Sequence, residues 1–317
     1  MSRRVLPGGV AGPLLGLAAV FVLFVLIGPG SFRSWRTAET IARQTTIVGT
    51  AALGMTLVII AGGIDLSAGS VVALSTVVVA GLLVAGCPAL AAALAGILSG
   101  CICGLANGLL ITRLRVVPFI VTLGTLLLVR GVAKGLAHEQ KIDAPLTWLV
   151  ELLAALRPGT RWVLVPPGVW LLAILAVAVG ALLRYTRLGR HIVAVGSSER
   201  TARLCGVPVE RIQCTVYALS GAAAGLAGVM QFSRLTVGDP TVAVGLELDV
   251  IAAVVIGGGS LAGGEGSVIG TLIGALIMTV IRSGCAQMGL PNWVQEMVTG
   301  GVIVVAVAMD RWRHASS

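Results

Sequence analysis

The sequence predicts an all-α integral membrane protein with about ten transmembrane helices. Of its 317 residues, 57% are hydrophobic and only 11% are charged, and the mean hydropathy is +1.01. A soluble domain carries about 25% charged residues, so this chain has too little charge to cover a globule of its size. Aromatic residues make up only 4%, and the 43 glycines lie mostly inside apolar runs. That composition favours closely packed helices over an outer-membrane barrel, whose strands alternate and carry aromatic girdles.

Ten apolar stretches are candidates for crossing the bilayer, which takes about 20 apolar residues in a helix. The stretch at 247–259 is short, which predicts a broken or re-entrant helix. An even number of crossings puts both termini on one side, and the distribution of arginines favours the cytoplasm for that side (N-in, C-in). The stretches are residues 10–28, 38–61, 69–86, 89–111, 116–136, 167–183, 213–232, 247–259, 267–282 and 293–309.

The chain is interpreted as a single transmembrane domain, residues 1–317, with one large polar segment on the cytoplasmic side. This segment, residues 184–211, contains six Arg and two Glu residues. Its central part, residues 196–207, is bracketed by Gly196 and Gly206 and is predicted to form a short helix on the inner surface. A solvated basic loop is the alternative.

Glycines recur every four residues along the fourth predicted span, at positions 96, 100, 104 and 108. Such a stripe of small residues lets another helix backbone approach closely, and the pairs Gly221/Gly225 and Gly270/Gly274 repeat the device. We interpret these stripes as helix-packing surfaces. Asn107 lies beside the first stripe, where it either forms a helix–helix hydrogen bond or lines a pathway.

Two glycine-rich turns, residues 61–70 and 257–267, interrupt the apolar helices. Each follows an aliphatic run, contains one acidic residue and ends in Gly-Ser-Val. In the first turn, Asp65 or Ser67 is suited to cap the free N–H groups of the next helix. The similarity of the two turns is compatible with an internal repeat, which is common in transporters. Two ordinary tight turns explain it equally well.

Several functional classes have no support in the sequence. No G-x-x-x-x-G-K-[ST] loop is present, so the chain does not bind ATP through a P-loop. The three histidines are far apart and lack ligand spacing, so we expect no metal, no cofactor and no enzymatic activity. The cations are scattered over short loops, which argues against nucleic-acid binding. Few ionisable residues are expected deep within a span, which disfavours the alternative of a stand-alone secondary transporter or channel.

Residues 62–70, Gly-Gly-Ile-Asp-Leu-Ser-Ala-Gly-Ser, resemble the permease subunits of ribose-type ABC sugar importers, in the branched-chain-amino-acid/ribose permease superfamily. Residues 117–125 (Val-Pro-Phe-Ile-Val-Thr-Leu-Gly-Thr), 186–207 and 247–264 extend the resemblance in order over nearly the whole chain. The departures are small. Ser198 stands where the family usually has Asn, Thr201 where it has Ala, and Ala68 where it has Val or a similar residue.

The resemblance implies a multi-pass permease in the bacterial cytoplasmic (inner) membrane that moves a ribose-like pentose or related monosaccharide. Its implied partners are a second permease subunit (a copy or a paralogue), cytoplasmic P-loop ATPases that hydrolyse the ATP, a periplasmic or lipid-anchored sugar-binding protein, and membrane lipid. On this interpretation the expected ATPase-docking residues are Gly196, Ser198, Glu199, Thr201, Ala202, Arg203 and Gly206. The expected turn and gating residues are Gly63, Asp65, Ser67, Gly258 and Gly263, and the pathway candidates are Ser70, Asn107, Thr122 and Thr125.

Overall fold

The computed structural model describes residues 10–155 and 165–315, with side chains as far as residue 308. Over these residues the chain is almost entirely helical, as predicted, and its strands are two short pieces, β1 (Ile142–Asp143) and β2 (Val237–Gly238), that pair antiparallel. The α-helices are α1 (Ala11–Ile27), α2 (Trp35–Ile60), α3 (Ala68–Val84), α4 (Ala89–Leu114), α5 (Pro118–Leu136), α6 (Pro167–Tyr185), α7 (Arg187–Ser197), α8 (Glu199–Leu204), α9 (Val209–Leu235), α10 (Leu246–Ile256), α11 (Val268–Gln287) and α12 (Asn292–Ala315).

Among the described helices, six are long and apolar enough to cross a membrane, namely α2, α4, α5, α6, α9 and α11. Helices α1 and α3 and residues 292–308 of α12 are apolar but shorter. Helix α10 has only 11 residues and is therefore about 16 Å long, roughly half the thickness of the hydrocarbon core. The stretch predicted to be short, residues 247–259, thus contains a helix of 11 residues.

The segment between β2 and α10 is irregular, and α5 supplies hydrogen bonds to it. Arg130 on α5 donates to the carbonyl oxygens of Pro240, at 3.1 Å, and Val242, at 2.5 Å. Backbone groups at membrane depth need partners inside the protein, because lipid offers none. Arg130 therefore donates hydrogen bonds to two carbonyl groups that lie outside any helix and have no helical N–H as a partner.

The glycine stripes pack helices together, as predicted. A β-carbon added at Gly100 would overlap the carbonyl oxygen of Gly221, and one at Gly104 would overlap that of Tyr217. Helices α4 and α9 are therefore in direct backbone contact. Gly270 and Gly274 bring α11 equally close to α10.

Helix α2 lies at the centre of the bundle, because every residue from Thr45 to Ile60 is buried. Helices α4, α5 and α6 instead turn leucine-rich faces outward, with Leu98, Leu127 and Val177 among the exposed side chains. A buried central helix surrounded by helices with exposed apolar faces is the arrangement expected in lipid.

Candidate functional site

Polar side chains begin the two short helices α7 and α8. The Thr186 hydroxyl accepts a hydrogen bond from Gly189 N at 3.1 Å, and the Ser198 hydroxyl accepts one from Thr201 N at 3.2 Å. Such N-caps stabilise a helix by about 1 kcal/mol. Ser198 also donates to the Thr201 hydroxyl at 2.9 Å. The two positions where this segment departs from the ribose-type pattern thus form one cap together.

Helix α8 occupies Glu199–Leu204, inside the region predicted to form a short helix. Arg203 joins it to the first turn of α9 by an ion pair with Glu210, at 2.5 Å, and forms a second ion pair within α8 with Glu199, at 3.0 Å. The hydrogen bonds to Glu210 and Glu199 raise the pKa of Arg203 above its ordinary value. The pair with Glu210 thus links α8 to α9 at the protein surface.

Five of the seven expected docking residues, Ser198, Glu199, Thr201, Arg203 and Gly206, are exposed. Ala202 is buried and Gly196 is half-buried, so these two residues face the helix bundle. Sequence analysis did not single out Leu204, whose side chain is 82% exposed at the end of α8. The sequence signal by which it could have been found is an apolar residue inside a polar, charged segment.

Both glycine turns meet the end of α7. The N–H of Gly264 donates to the carbonyl oxygen of Ile60 at 2.9 Å. A β-carbon at Gly196 would overlap that same oxygen, and one at Gly263, where φ is +88°, would lie 2.6 Å from Gly196 O. We call this contact of the two turns with α7 the glycine junction. It defines one end of the bundle, the α7–α8 end.

The first turn is closed by its own acidic residue. Asp65 Oδ1 accepts hydrogen bonds from Ser67 N, at 2.9 Å, and Ser67 Oγ, at 2.6 Å, and Ser220 Oγ lies 3.5 Å from Asp65 Oδ2. Asn107 on α4 donates to Ser67 Oγ at 2.9 Å. The carboxylate therefore binds the N–H at the start of α3, whereas the Ser67 side chain makes no cap bond. Asp65 is the centre of a buried network that joins the turn to α4 and α9.

All four pathway candidates are buried and bond to groups inside this chain. Ser70 Oγ donates to Leu126 O at 2.8 Å, and Thr122 Oγ1 donates to Ile64 O at 3.2 Å. Thr125 donates to Thr122 O at 3.2 Å, and Asn107 makes the helix-to-turn bond described above. The two threonines and Ser70 thus lie at the contact between α5 and the region where α3 begins.

A polar cavity of about 400 Å³ lies at the opposite end of the bundle, between α2, α9, α10, α11 and α12. Buried in its wall is Asp249, which forms an ion pair with Arg282 at 2.6 Å. This pair was not among the residues predicted from the sequence to form a site. It was missed because the two residues lie on separate helices, and only folding brings them together.

Apolar helices packed through glycine stripes, with polar turns buried between them and a polar helical segment at one end, define a polytopic membrane transport protein. The chain belongs to the family described as branched-chain amino acid transport system / permease component, whose sequence profile matches residues 37–307. The resemblance found in the sequence is thereby confirmed.

Several curated relatives match over nearly the whole chain. Ribose import permease protein RbsC of Escherichia coli (strain K12) is 39% identical over 296 residues, 93% of this chain and 92% of the relative. RbsC of Bacillus subtilis (strain 168) is 38% identical over 305 residues, 96% and 93% of the two chains. Fructose import permease protein FrcC of Rhizobium meliloti is 36% identical over 95% of this chain and 85% of its own. No solved structure matches the chain.

Proposed function

We propose that the chain is the permease subunit of an ABC importer that moves a monosaccharide across the bacterial cytoplasmic membrane. The observation that carries this proposal is the match, over 93% and 95% of the chain, to permeases named for ribose and fructose import. The substrate is then a ribose-like pentose or a related sugar. Because the sequence has no P-loop, ATP is hydrolysed on a separate subunit.

The proposed topology has ten crossings with both termini in the cytoplasm, and α10 completes one of them together with residues 237–245. The arginine-rich segment 184–211 supports this orientation, since cytoplasmic loops carry an excess of Lys and Arg. The α7–α8 end then faces the cytoplasm, and the polar cavity opens toward the outside.

Helix α8 is the proposed docking element for the ATPase. Its exposed surface combines the charged residues Glu199 and Arg203 with Leu204, and an apolar centre within a polar rim is the usual arrangement of a protein interface. The periplasmic or lipid-anchored binding protein would deliver sugar at the opposite end. A second permease subunit, either a copy or a paralogue, would complete the membrane part.

The glycine junction is the proposed route by which docking acts on the membrane helices. A shift of α7 would displace Ile60 and Gly263, and hence the turns that precede α3 and α11. In this proposal the turn residues Gly63, Asp65 and Ser67 move as one unit with the start of α3. Gly258 and Gly263 do the same before α11.

The four pathway candidates remain a proposal. Their hydroxyl and amide groups suit a neutral sugar, because such groups bind it weakly enough to release it. Ser70 and Thr122 would become available when α5 separates from the start of α3. The hydrogen bonds to Leu126 O and Ile64 O would then break.

The test is uptake by proteoliposomes that contain the permease with its ATPase and binding protein. We expect uptake of radiolabelled D-ribose, L-arabinose or D-fructose only when ATP is inside with the ATPase. The ion pair between buried Asp249 and half-buried Arg282 favours the alternative of a stand-alone transporter, since such charges often mark ion pathways. Uptake by the permease alone under a proton or sodium gradient would support that alternative.

A further inference from the structure

The polar cavity lies on the far side of the bundle from the glycine junction. It is lined by the first half of α2, the ends of α9 and α11 and the starts of α10 and α12. Gln44 is 16 residues from Ile60, which places it about 24 Å along α2 from the glycine junction. The volume of about 400 Å³ is within the range of roughly 300–1,000 Å³ that is usual for small-molecule sites.

Amides and hydroxyls dominate the polar part of the wall. Gln44 Oε1 accepts a hydrogen bond from Ser283 Oγ at 3.3 Å, and its amide nitrogen has no partner among the described residues. An amide donates and accepts at once, as a sugar hydroxyl does. The amide and hydroxyl side chains that line the cavity include Gln44, Gln231, Thr279, Ser283, Gln287 and Gln295.

Asp249 adds a buried acceptor to this wall. The residue is fully buried, and within the described part of the chain Asp249 Oδ1 has no polar partner, whereas Oδ2 lies 2.6 Å from the Arg282 guanidinium. Arg282, 43% exposed, lies in ion-pair contact with Asp249 and balances its charge, and Arg234 adds a second guanidinium to the wall. A buried acceptor atom without a partner is costly, so a donor from a ligand that reached Asp249 Oδ1 would be favourable.

We infer that this cavity binds a neutral polyhydroxylated solute inside a single permease subunit, on the outward-facing side. The inference rests on the proposed function and adds to it a site distinct from the pathway candidates between α3 and α5. The solute's hydroxyls donate to the Asp249 carboxylate and to the glutamine carbonyls. They accept from the glutamine amides and from Arg282.

The test compares Gln44→Leu and Gln231→Leu, which remove amides from the cavity, with Gln213→Leu as a matched control. Gln213 is a half-buried glutamine near the other end of α9 and does not line the cavity. The probes are radiolabelled D-ribose, L-arabinose and D-fructose, taken up by proteoliposomes that contain the whole importer. We expect each cavity variant to lower uptake at least tenfold and the control to stay within twofold of wild type. ATP hydrolysis should stay within twofold in Gln44→Leu and Gln231→Leu, because both changes lie at the end of the bundle opposite α8.

The inference would be overturned if both cavity variants took up sugar at rates within twofold of the wild-type rate. A parallel loss of ATP hydrolysis would also overturn it, because the glutamines would then be structural. If the leucine variants do not assemble, Gln44→Asn and Gln231→Asn keep the amide but shorten its reach, and they should lower uptake at least threefold. If wild type carries none of the three sugars, the proposed function fails, and the assignment of this cavity to a sugar falls with it.

Discussion

The carbonyl oxygen of Ile60 accepts a hydrogen bond from Gly264 N, and it is also the atom against which Gly196 packs. Ile60 ends α2, Gly264 precedes α11, and Gly196 is the penultimate residue of α7. One backbone atom therefore joins both glycine turns to the helix that leads into α8. Glycine is required at 196 because any β-carbon there would occupy the position of that oxygen.

Gly196→Ala should destabilise the permease and impair its coupling to the ATPase. Overpacking of this kind costs about 1–3 kcal/mol, and the expected result is a lower melting temperature in detergent with uptake reduced more than ATP hydrolysis. Gly180→Ala is the control, because no atom lies within 4 Å of a β-carbon at that position. A Gly196→Ala protein with wild-type melting temperature and uptake would contradict the structural role of the junction.

Asp65→Asn should keep substantial transport, whereas Asp65→Leu should lose transport or expression. Asparagine retains an oxygen for Ser67 N and ranks with aspartate as a helix cap. Leucine leaves the buried Ser67 N–H and Ser220 hydroxyl without their partner, and each unsatisfied group destabilises the fold by about 1–3 kcal/mol. Sugar uptake and the yield of folded protein would be measured together. An inactive Asn variant that folds and binds the ATPase would show that the carboxylate acts directly in transport.

Leu204→Asp should weaken ATPase binding at least tenfold, or by about 1.4 kcal/mol, without preventing membrane insertion. The reason is that a charge replaces the exposed apolar anchor of α8. Binding of the purified ATPase to immobilised permease gives the affinity. Leu146→Asp, a similarly exposed leucine beyond α5, is the control and should bind normally. Equal affinity of all three proteins would remove α8 from the interface.

The single change Arg282→Met should lower the free energy of unfolding by more than the double change does, in which Asp249→Asn is combined with Arg282→Met. Removing one partner of a fully buried ion pair costs about 3–5 kcal/mol, because the other charge stays buried and unpaired. Because the Arg282 side chain is partly exposed and water can solvate it, this free-energy loss is an upper limit. Thermal unfolding of the purified permease would be compared among wild type, both single variants and the double variant. Additive losses would indicate that the two residues do not interact.

Single cysteines at Ser70, Asn107, Thr122 and Thr125, in a background without the six native cysteines, should react with a water-soluble thiol reagent. Their reactivity should change when the ATPase is trapped with nucleotide, because opening the pathway must break the bonds between α5 and the start of α3. Labelling would be followed by mass spectrometry in both states. Protection at all four positions in every state would place the pathway elsewhere.

Much of this protein follows from local sequence. Composition alone predicts a helical membrane protein, because long apolar segments with few charges are unfavourable in water and favourable in lipid. The four-residue spacing of Gly96 and Gly100 predicts a close helix contact, and the polar segment around Ser198 predicts a capped helix. The resemblance at residues 62–70 predicted the family. Each of these features depends on neighbours a few residues apart.

Tertiary structure decided which distant groups meet. No periodicity indicates that Gly196 touches Ile60, that Arg130 serves the carbonyls of an irregular segment, or that Asp249 pairs with Arg282 beside a cavity. These contacts join residues that are far apart in the chain, and their partners are set by how the helices pack. The sequence by itself therefore determined the class of protein and its helices, whereas the packed bundle determined its polar cavity and the connection between its two turns.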